Sequence, residues 1–301
     1  VIVIAVILVL RMVADTTIYL PEDLAQAADV TMLAAIPEIN IADDVHTGWV
    51  LTEGGTAVSC EKESRPQRES RDVPDQSKRL LTKESPFAIR EAYVKLRTSL
   101  LFCMTADKER PCSTFAVTSA KPSEGKSLTA ANIAISYAML GKRVLLVDAD
   151  MRKAGQRSLW SVRSSAGLCD FLAKISRLEL AKVTDLPLWI VCTGTIPPNP
   201  SELLSSERMR RFAAESAETY DYVIIDTPPI NTVADAQIIS TYVDGVVLVT
   251  KSGVTTTDEL NDAMDAVLRA GGNLCGAVLN DMNMKSGKYA YKHKYKYGGK
   301  Y

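Results

Sequence analysis

The stretch "TSAKPSEGKSLTAANIA", residues 118 to 134, sets a lysine and a hydroxyl at the point where an apolar strand pattern gives way to a helical one. That junction is the setting of a phosphate-binding loop, in which backbone N–H groups and a helix N-terminus face phosphate oxygens. Lys121, Pro122, Ser123, Glu124 and Gly125 would form the loop, Lys126 would reach the β- and γ-phosphates, Ser127 would hold Mg2+, and Leu128 continues into the helix. Ala120 stands where the pattern G-x-x-x-x-G-K-[ST] has its first glycine, so a plain turn with a chance "GKS" is the competing reading.

Two acidic motifs speak against chance. In "VLLVDADMR", Asp148 and Asp150 leave an apolar strand two residues apart, which puts their side chains on the same side of it. In "YVIIDTPP", Asp226 ends another apolar strand that Pro228 and Pro229 stop. A carboxylate in that place is suited to hold magnesium through water. One lysine, one serine and three carboxylates at three strand ends point to nucleotide hydrolysis or phosphoryl transfer, with ATP and Mg2+ as the implied cofactors.

The elements that must carry these groups are legible around them. The runs "TFAVTS", "RVLLVDAD", "LWIVCT", "YDYVIIDTPP", "GVVLVT" and "CGAVLN" read as strands buried on both faces, and residues 127–140, 201–216 and 257–270 repeat apolar residues at helical spacing. Such alternation predicts an α/β fold, a mostly parallel sheet with helices on both faces. Ligands of such sheets bind beyond the carboxyl ends of the strands.

With 301 residues, 47% apolar and 24% charged, the chain can bury a full core, and a net charge of −1 argues against a general polyanion binder, so no nucleic-acid partner is expected. Its six cysteines contain no C-x-x-C pair and read as reduced, mostly buried side chains of a cytoplasmic protein. The opening run "VIVIAVILVL" is too short to cross a bilayer, which takes about 20 residues. It reads either as a buried strand or, given the missing initiator methionine, as the end of a truncated transmembrane helix over residues 1–14 with Arg11 on the cytoplasmic side. Residues 15–40 form a juxtamembrane segment with a short helix opening at Pro21, Glu22 and Asp23, and residues 41–85 a flexible linker. The globular pattern resumes at Pro86 and runs to residue 284. The final segment, 285–301, ends in "KYAYKHKYKYGGKY", where Tyr289, Tyr291, Tyr295, Tyr297 and Tyr301 alternate with lysines. Disordered tails are normally poor in aromatics.

Taken together, "KPSEGKS", "LLVDADMR", "VIIDTPP", "GTIPPNPSELL" and the tyrosine-rich end resemble the bacterial tyrosine kinases over residues 86–301, and residues 1–40 resemble the end of the polysaccharide co-polymerase domain fused to many of them. The resemblance favours the membrane-helix reading of the opening run. It implies a P-loop NTPase fold akin to the partitioning ATPases. It also implies autophosphorylation of the tail tyrosines, in trans within a homo-oligomeric ring, at the cytoplasmic face of the inner membrane. The partners would be the membrane and the polysaccharide export and polymerisation machinery. Lys126 and Ser127 match the phosphate and magnesium residues, Asp148 the acceptor of the tyrosine proton, and Asp150 and Asp226 the acids that hold the metal's waters. Glu91 and Arg97 match the ends of the family's E-x-x-R-x-x-R assembly helix, although Val94 replaces its middle arginine.

Two other classes compete. A partitioning-type ATPase that associates with membrane or DNA would account for Lys121, five residues before Lys126, but not for the tyrosines. A catalytically weak membrane scaffold would use the basic tail as an anchor to anionic lipid. A eukaryotic-type kinase fails, because the chain has no H-R-D or D-F-G and its two histidines are His46 and His293. In the kinase reading Lys126 is expected to sit at a solvent-facing phosphate site.

Overall fold

Each central strand is apolar in both of its alternating sets, so the sheet it forms has to be covered twice. In the computed structural model, which describes residues 15–27, 29–38, 51–53, 56–57, 79–103, 113–164 and 166–283, this is what happens. The elements run α1 (Pro21–Ala27), β1 (Met32–Pro37), β2 (Leu51–Glu53), β3 (Thr56–Ala57), α2 (Phe87–Cys103), β4 (Ser113–Ser119), α3 (Lys126–Ala138), β5 (Val144–Asp148), α4 (Gln156–Leu159) and α5 (Leu168–Leu172). They continue with β6 (Ala181–Val183), β7 (Leu188–Val191), α6 (Pro200–Ser205), α7 (Glu207–Thr219), β8 (Tyr222–Asp226), α8 (Asp235–Ser240), β9 (Gly245–Lys251), α9 (Thr257–Arg269) and β10 (Leu274–Met282).

The strands lie in the order β1-β10-β9-β4-β8-β5-β7-β6-β2-β3. From β1 to β7 every pairing is parallel, and β6, β2 and β3 extend that sheet antiparallel at one edge. Phe115, Val117, Leu146 and Ile224 share one core with Leu96 of α2 and Ile133 of α3. Ala116, Leu145, Val223 and Ile225 share the other with Phe212 of α7, Ile239 of α8 and Leu260 of α9. Each such side chain contributes about 1.5–3 kcal/mol by leaving water. The sheet is therefore the rigid base from which the strand ends project.

Two boundaries differ from the expectation. Residues 15–40 do not form a segment apart from the globular domain: Met32–Pro37 is an edge strand parallel to β10, with Leu33 and Ile36 buried in the core. The pattern "MLAAIP" is too short and too alanine-rich to announce a strand, and what admits it is the neighbour. Gly276 of β10, at φ +145, has no Cβ to strike the Thr31 carbonyl 2.2 Å from where one would stand. The linker also ends before residue 85. Leu80 and Leu81 are buried, and the Leu81 N–H donates to Asn132 Oδ1 at 2.7 Å, so the chain is fastened to α3 before α2 begins. The opening run 1–14 and the tail 285–301 lie outside the described residues. Among the described residues no helix is long and apolar enough to cross a membrane.

Candidate active site

The loop between β4 and α3 turns on Gly125, the residue before the helix, at φ +93. A Cβ here would stand 2.1 Å from Asn280 Nδ2, so only glycine lets the loop lie against the end of β10. Ser123 takes a left-handed φ of 67 without that freedom, at a cost of about 1–3 kcal/mol. No side chain caps α3, which leaves its first N–H groups for a phosphate.

The acids come from register. Asp148 and Asp226 are direct partners on β5 and β8, so two carboxylates end up side by side at one edge of the sheet, both fully buried. Lys126 Nζ lies 2.6 Å from Asp150 Oδ2 and 3.8 Å from Asp226 Oδ1. Burial, then the charge of Asp226, pushes the Asp148 carboxyl well above the usual carboxylate range. Burial also raises Asp226, against the opposing pull of Lys126, Ser127 and Gln156. For Lys126 burial works against the charge, but Asp226 and Asp150 outweigh it and hold the ammonium above its ordinary pKa. Lys126 is thus only 8% exposed, and the solvent-facing lysine expected from the sequence is instead clamped by the acids around it.

Other expected residues fall into place differently. Ser127 lies beside Lys126 and Asp226, and Leu128 packs partly buried on the core next to α3. Pro122 and Ser123 form the exposed tip of the loop. Glu124 points inward: its carboxylate accepts from Lys121 N at 2.8 Å and from the Thr255 hydroxyl, its carbonyl accepts from Asn280 Nδ2 at 2.9 Å, and burial raises its pKa. It braces the loop from below. Lys121 extends to Glu259 at 2.7 Å, so its ammonium serves α9 in this form. Arg97 donates to the Ser136 carbonyl at 2.8 Å and ties α2 to α3 within the chain, while Glu91 is half-buried and Val94 exposed on the same helix. The motif "GTIPPNPSELL" places Ser201 at the start of α6, where it bonds Asp235, which Arg152 also holds at 2.8 Å. The five tail tyrosines lie outside the described residues.

Gln156, Thr255 and Asn280 are contributors that motif reading passes over. Asn280 left a trace, as a polar residue closing the apolar run "CGAVLN". Gln156 and Thr255 left none, because nothing local distinguishes them from any polar loop residue.

Known proteins resemble this chain in sequence and in fold. Residues 112–267 match the AAA domain family. The tyrosine-protein kinase YwqD of Bacillus subtilis (strain 168) is 42% identical over 204 residues, 67% of this chain and 85% of that one. The chain belongs to the bacterial tyrosine kinases. Within that family, the putative tyrosine-protein kinase CapB of Staphylococcus aureus is 35% identical over 206 residues, 67% of this chain and 89% of CapB. The solved kinase domain of the Escherichia coli tyrosine kinase ETK superposes with a TM-score of 0.72 at 28% identity, covering 89% of this chain and 96% of that domain. A kinase of this family with a P-loop fold binds nucleotide, and the cluster around Lys126 lies beyond the carboxyl ends of the strands, where sheets of this kind take their ligands.

Proposed function

We propose that the chain is an ATP-dependent protein-tyrosine autokinase whose acceptors are Tyr289, Tyr291, Tyr295, Tyr297 and Tyr301 of a neighbouring copy, working in a homo-oligomeric ring. The observation that carries the reading is Lys126 set among Asp148, Asp150 and Asp226 at the carboxyl ends of adjacent parallel strands. Phosphoryl transfer asks a protein mainly for positioning and charge stabilisation, and this cluster offers both.

ATP would lie with its phosphates on the uncapped start of α3. Lys126 leaves Asp150 for the β- and γ-oxygens. Magnesium fits the residues present, because Asp226 Oδ1 is buried without a hydrogen-bond partner and Ser127 adjoins it. Mg2+ takes one or two carboxylates, waters and substrate phosphates, so Ser127, Asp226 and Asp150 would hold it. When bound it supplies positive charge to the phosphate oxygens. Asp148 is assigned to accept the tyrosine proton. Its Oδ2 is taken by the Gly155 and Gln156 N–H groups, whereas Oδ1 has only a 3.3 Å bond from Asp150 N and keeps acceptor capacity for a hydroxyl.

The N-terminal segment would hold the kinase at the cytoplasmic face of the inner membrane beside the polysaccharide export and polymerisation machinery, and the phosphorylation state of the tail would regulate export or chain length. The segment division would then be the end of a membrane helix over 1–14, a region from 15 whose strand Met32–Pro37 joins the kinase sheet, a linker that ends before Leu80, the kinase domain and the tail. The test is incubation of the purified chain with Mg2+ and ATP followed by phosphotyrosine detection. A Lys126→Met chain with intact tyrosines is mixed with an active chain whose five tyrosines are phenylalanine. Phosphotyrosine on the Lys126→Met chain is expected, and ADP release without any phosphotyrosine overturns the reading in favour of a partitioning-type ATPase.

A further inference from the structure

Gln156 is fully buried beside the catalytic cluster, and every polar atom of its side chain is engaged. Its Nε2 donates to Asp226 Oδ2 and to the Ser127 carbonyl, both at 2.9 Å, and its Oε1 accepts from Trp160 Nε1 at 3.1 Å. Its backbone N–H donates to Asp148 Oδ2 at 3.0 Å. One residue thus touches the strand-end acids of β5 and β8 and the first turn of α3.

An amide side chain can be placed either way round, but here the surroundings choose. The Trp160 indole nitrogen is only a donor, so it must face the amide oxygen. The Asp226 carboxylate and the Ser127 carbonyl are only acceptors, so they must face the amide nitrogen. All three partners demand one orientation. The reversed amide would set a donor against a donor and an acceptor against a carboxylate, in a site that water does not reach. Both hydrogens of Nε2 are spent, one on each oxygen. The consequence falls on Asp226: Oδ2 is fixed by Gln156, and Oδ1 is left buried with no hydrogen bond. The Ser127 hydroxyl and the Lys126 ammonium, the latter 3.8 Å from Oδ1, both lower the Asp226 pKa, but neither meets Oδ1 in hydrogen-bonding geometry.

We infer that Gln156, locked by Trp160, is a positioning residue that selects Oδ1 of Asp226 for the magnesium side of the site and keeps Ser127 in line with it. This rests on the reading of the cluster as a magnesium–nucleotide site. Groups that orient a metal's ligands typically matter by about 10–100-fold in metal affinity.

The test measures binding of a non-hydrolysable ATP analogue by calorimetry, with Mg2+ and with EDTA, in wild type, Gln156→Met, Trp160→Phe and the double variant. Methionine keeps the volume and removes both donors. The expected result for Gln156→Met is EDTA affinity within about twofold of wild type and a loss of about tenfold or more in the gain that Mg2+ brings. Trp160→Phe removes the donor that anchors the amide oxygen, so it should lose part of the same gain by loosening Gln156 in its site, and adding it to Gln156→Met should change the gain no further. A merely structural residue would lower both affinities together, and that outcome, like an unchanged Mg2+ gain in Gln156→Met, overturns the inference while the site reading stands. A wild-type protein with no Mg2+ gain overturns both. If Gln156→Met does not fold, Trp160→Phe decides alone, by a selective loss of the Mg2+ gain or by its absence.

Discussion

Lys126 Nζ lies 2.6 Å from Asp150 Oδ2, with the lysine and aspartate side chains 10% and 3% exposed. The loop lysine is thus held by a carboxylate, which would have to release it for the lysine to reach a phosphate. Asp226 and Asp148 lie around the same ammonium, and burial raises the pKa of both carboxyls, so their charge is met by bound protons as well as by Lys126. Phosphate oxygens brought here without a cation would add negative charge beside them, so ATP is expected to bind together with Mg2+.

Lys126→Met should lower phosphotyrosine formation by about 100-fold or more, as expected for losing one preorganised donor to developing charge. It should also cost stability. Removing the cation leaves Asp148, Asp150 and Asp226 uncompensated, and breaking a buried pair costs about 3–5 kcal/mol. Because the folded-state pKa of Lys126 is raised, its contribution is fully present at neutral pH and fades only above the pKa of the unfolded chain. Thermal melting at pH 7 checks this, and a variant as stable as wild type contradicts the central place given to the lysine.

Asp226→Asn is expected to stabilise the nucleotide-free protein. Its amide oxygen can still accept from Gln156, and the amide nitrogen replaces Oδ1, which has no hydrogen bond; the attraction lost to Lys126, 3.8 Å away, is offset because Asp150 still holds that ammonium at 2.6 Å. The sign follows from linkage. A carboxyl whose pKa is raised on folding binds its proton more tightly in the folded state, so stability falls as pH climbs from the unfolded value, about 3.9, through the folded one. Asparagine has no such penalty. A gain of about 1 kcal/mol, or about 2–4 °C in Tm, should be present at pH 8 and shrink toward pH 4. The same variant should lose Mg2+-dependent nucleotide affinity, and a lower Tm than wild type at pH 8 would refute the account.

Asp148→Asn should behave differently. Nucleotide and Mg2+ affinity stay within a few-fold of wild type, while transfer slows by about 100-fold or more with loss of the proton acceptor. Asparagine must keep its single oxygen toward the Gly155 and Gln156 N–H groups, which turns its nitrogen toward Asp150 N; that donor–donor contact opposes the relief of removing a carboxyl whose pKa is raised by burial, so the gain in stability should be smaller than for Asp226→Asn. Calorimetry and single-turnover kinetics separate the two acids. Equal losses of nucleotide affinity in Asp148→Asn and Asp226→Asn would dissolve the division of roles.

Much of this was legible in the chain because it is written locally. The strands around Phe115, Leu146, Ile224 and Val247 announce themselves by continuous apolar runs, and Lys126, Asp148, Asp150 and Asp226 stand at strand ends that the runs define. What stayed hidden depends on tertiary neighbours. Met32–Pro37 becomes a strand because β10 offers an edge, and Leu80 and Leu81 are buried because Asn132 of α3 fastens them. Gln156 looks like loop until β5, β8 and α3 close around it. The helical pattern over 201–216 contains a break no periodicity shows: Ser206 leaves the helix at ψ 150 and caps α7 by accepting from Met209 N. The apolar spacing of α6 and α7 runs through that break, so the single helical stretch expected over 201–216 is two helices in the fold.

Phosphorylation of the tail should disperse the oligomer, for reasons of charge. Residues 285–301 contain Lys285, Lys288, Lys292, Lys294, Lys296 and Lys300 and no acidic side chain, a charge of about +6. Each phosphate adds roughly −1.5 to −2 at pH 7, so five of them bring the segment to between about −1.5 and −4. Before modification such a tail is drawn to a neighbour's site, where three carboxylates face one lysine. After it, the same site repels the tail. Replacing Tyr289, Tyr291, Tyr295, Tyr297 and Tyr301 by phenylalanine keeps the positive charge under all conditions and should lock the associated state even with ATP present. Sedimentation of wild-type and five-fold variant before and after ATP is the check, at low ionic strength, where unscreened charge acts furthest. Wild type should fall to a lower mass only after ATP and the variant not at all. An unchanged wild-type mass after complete phosphorylation would sink the switch and leave the kinase assignment intact, because transfer depends on Lys126 and its acids and not on what the modified tail does next.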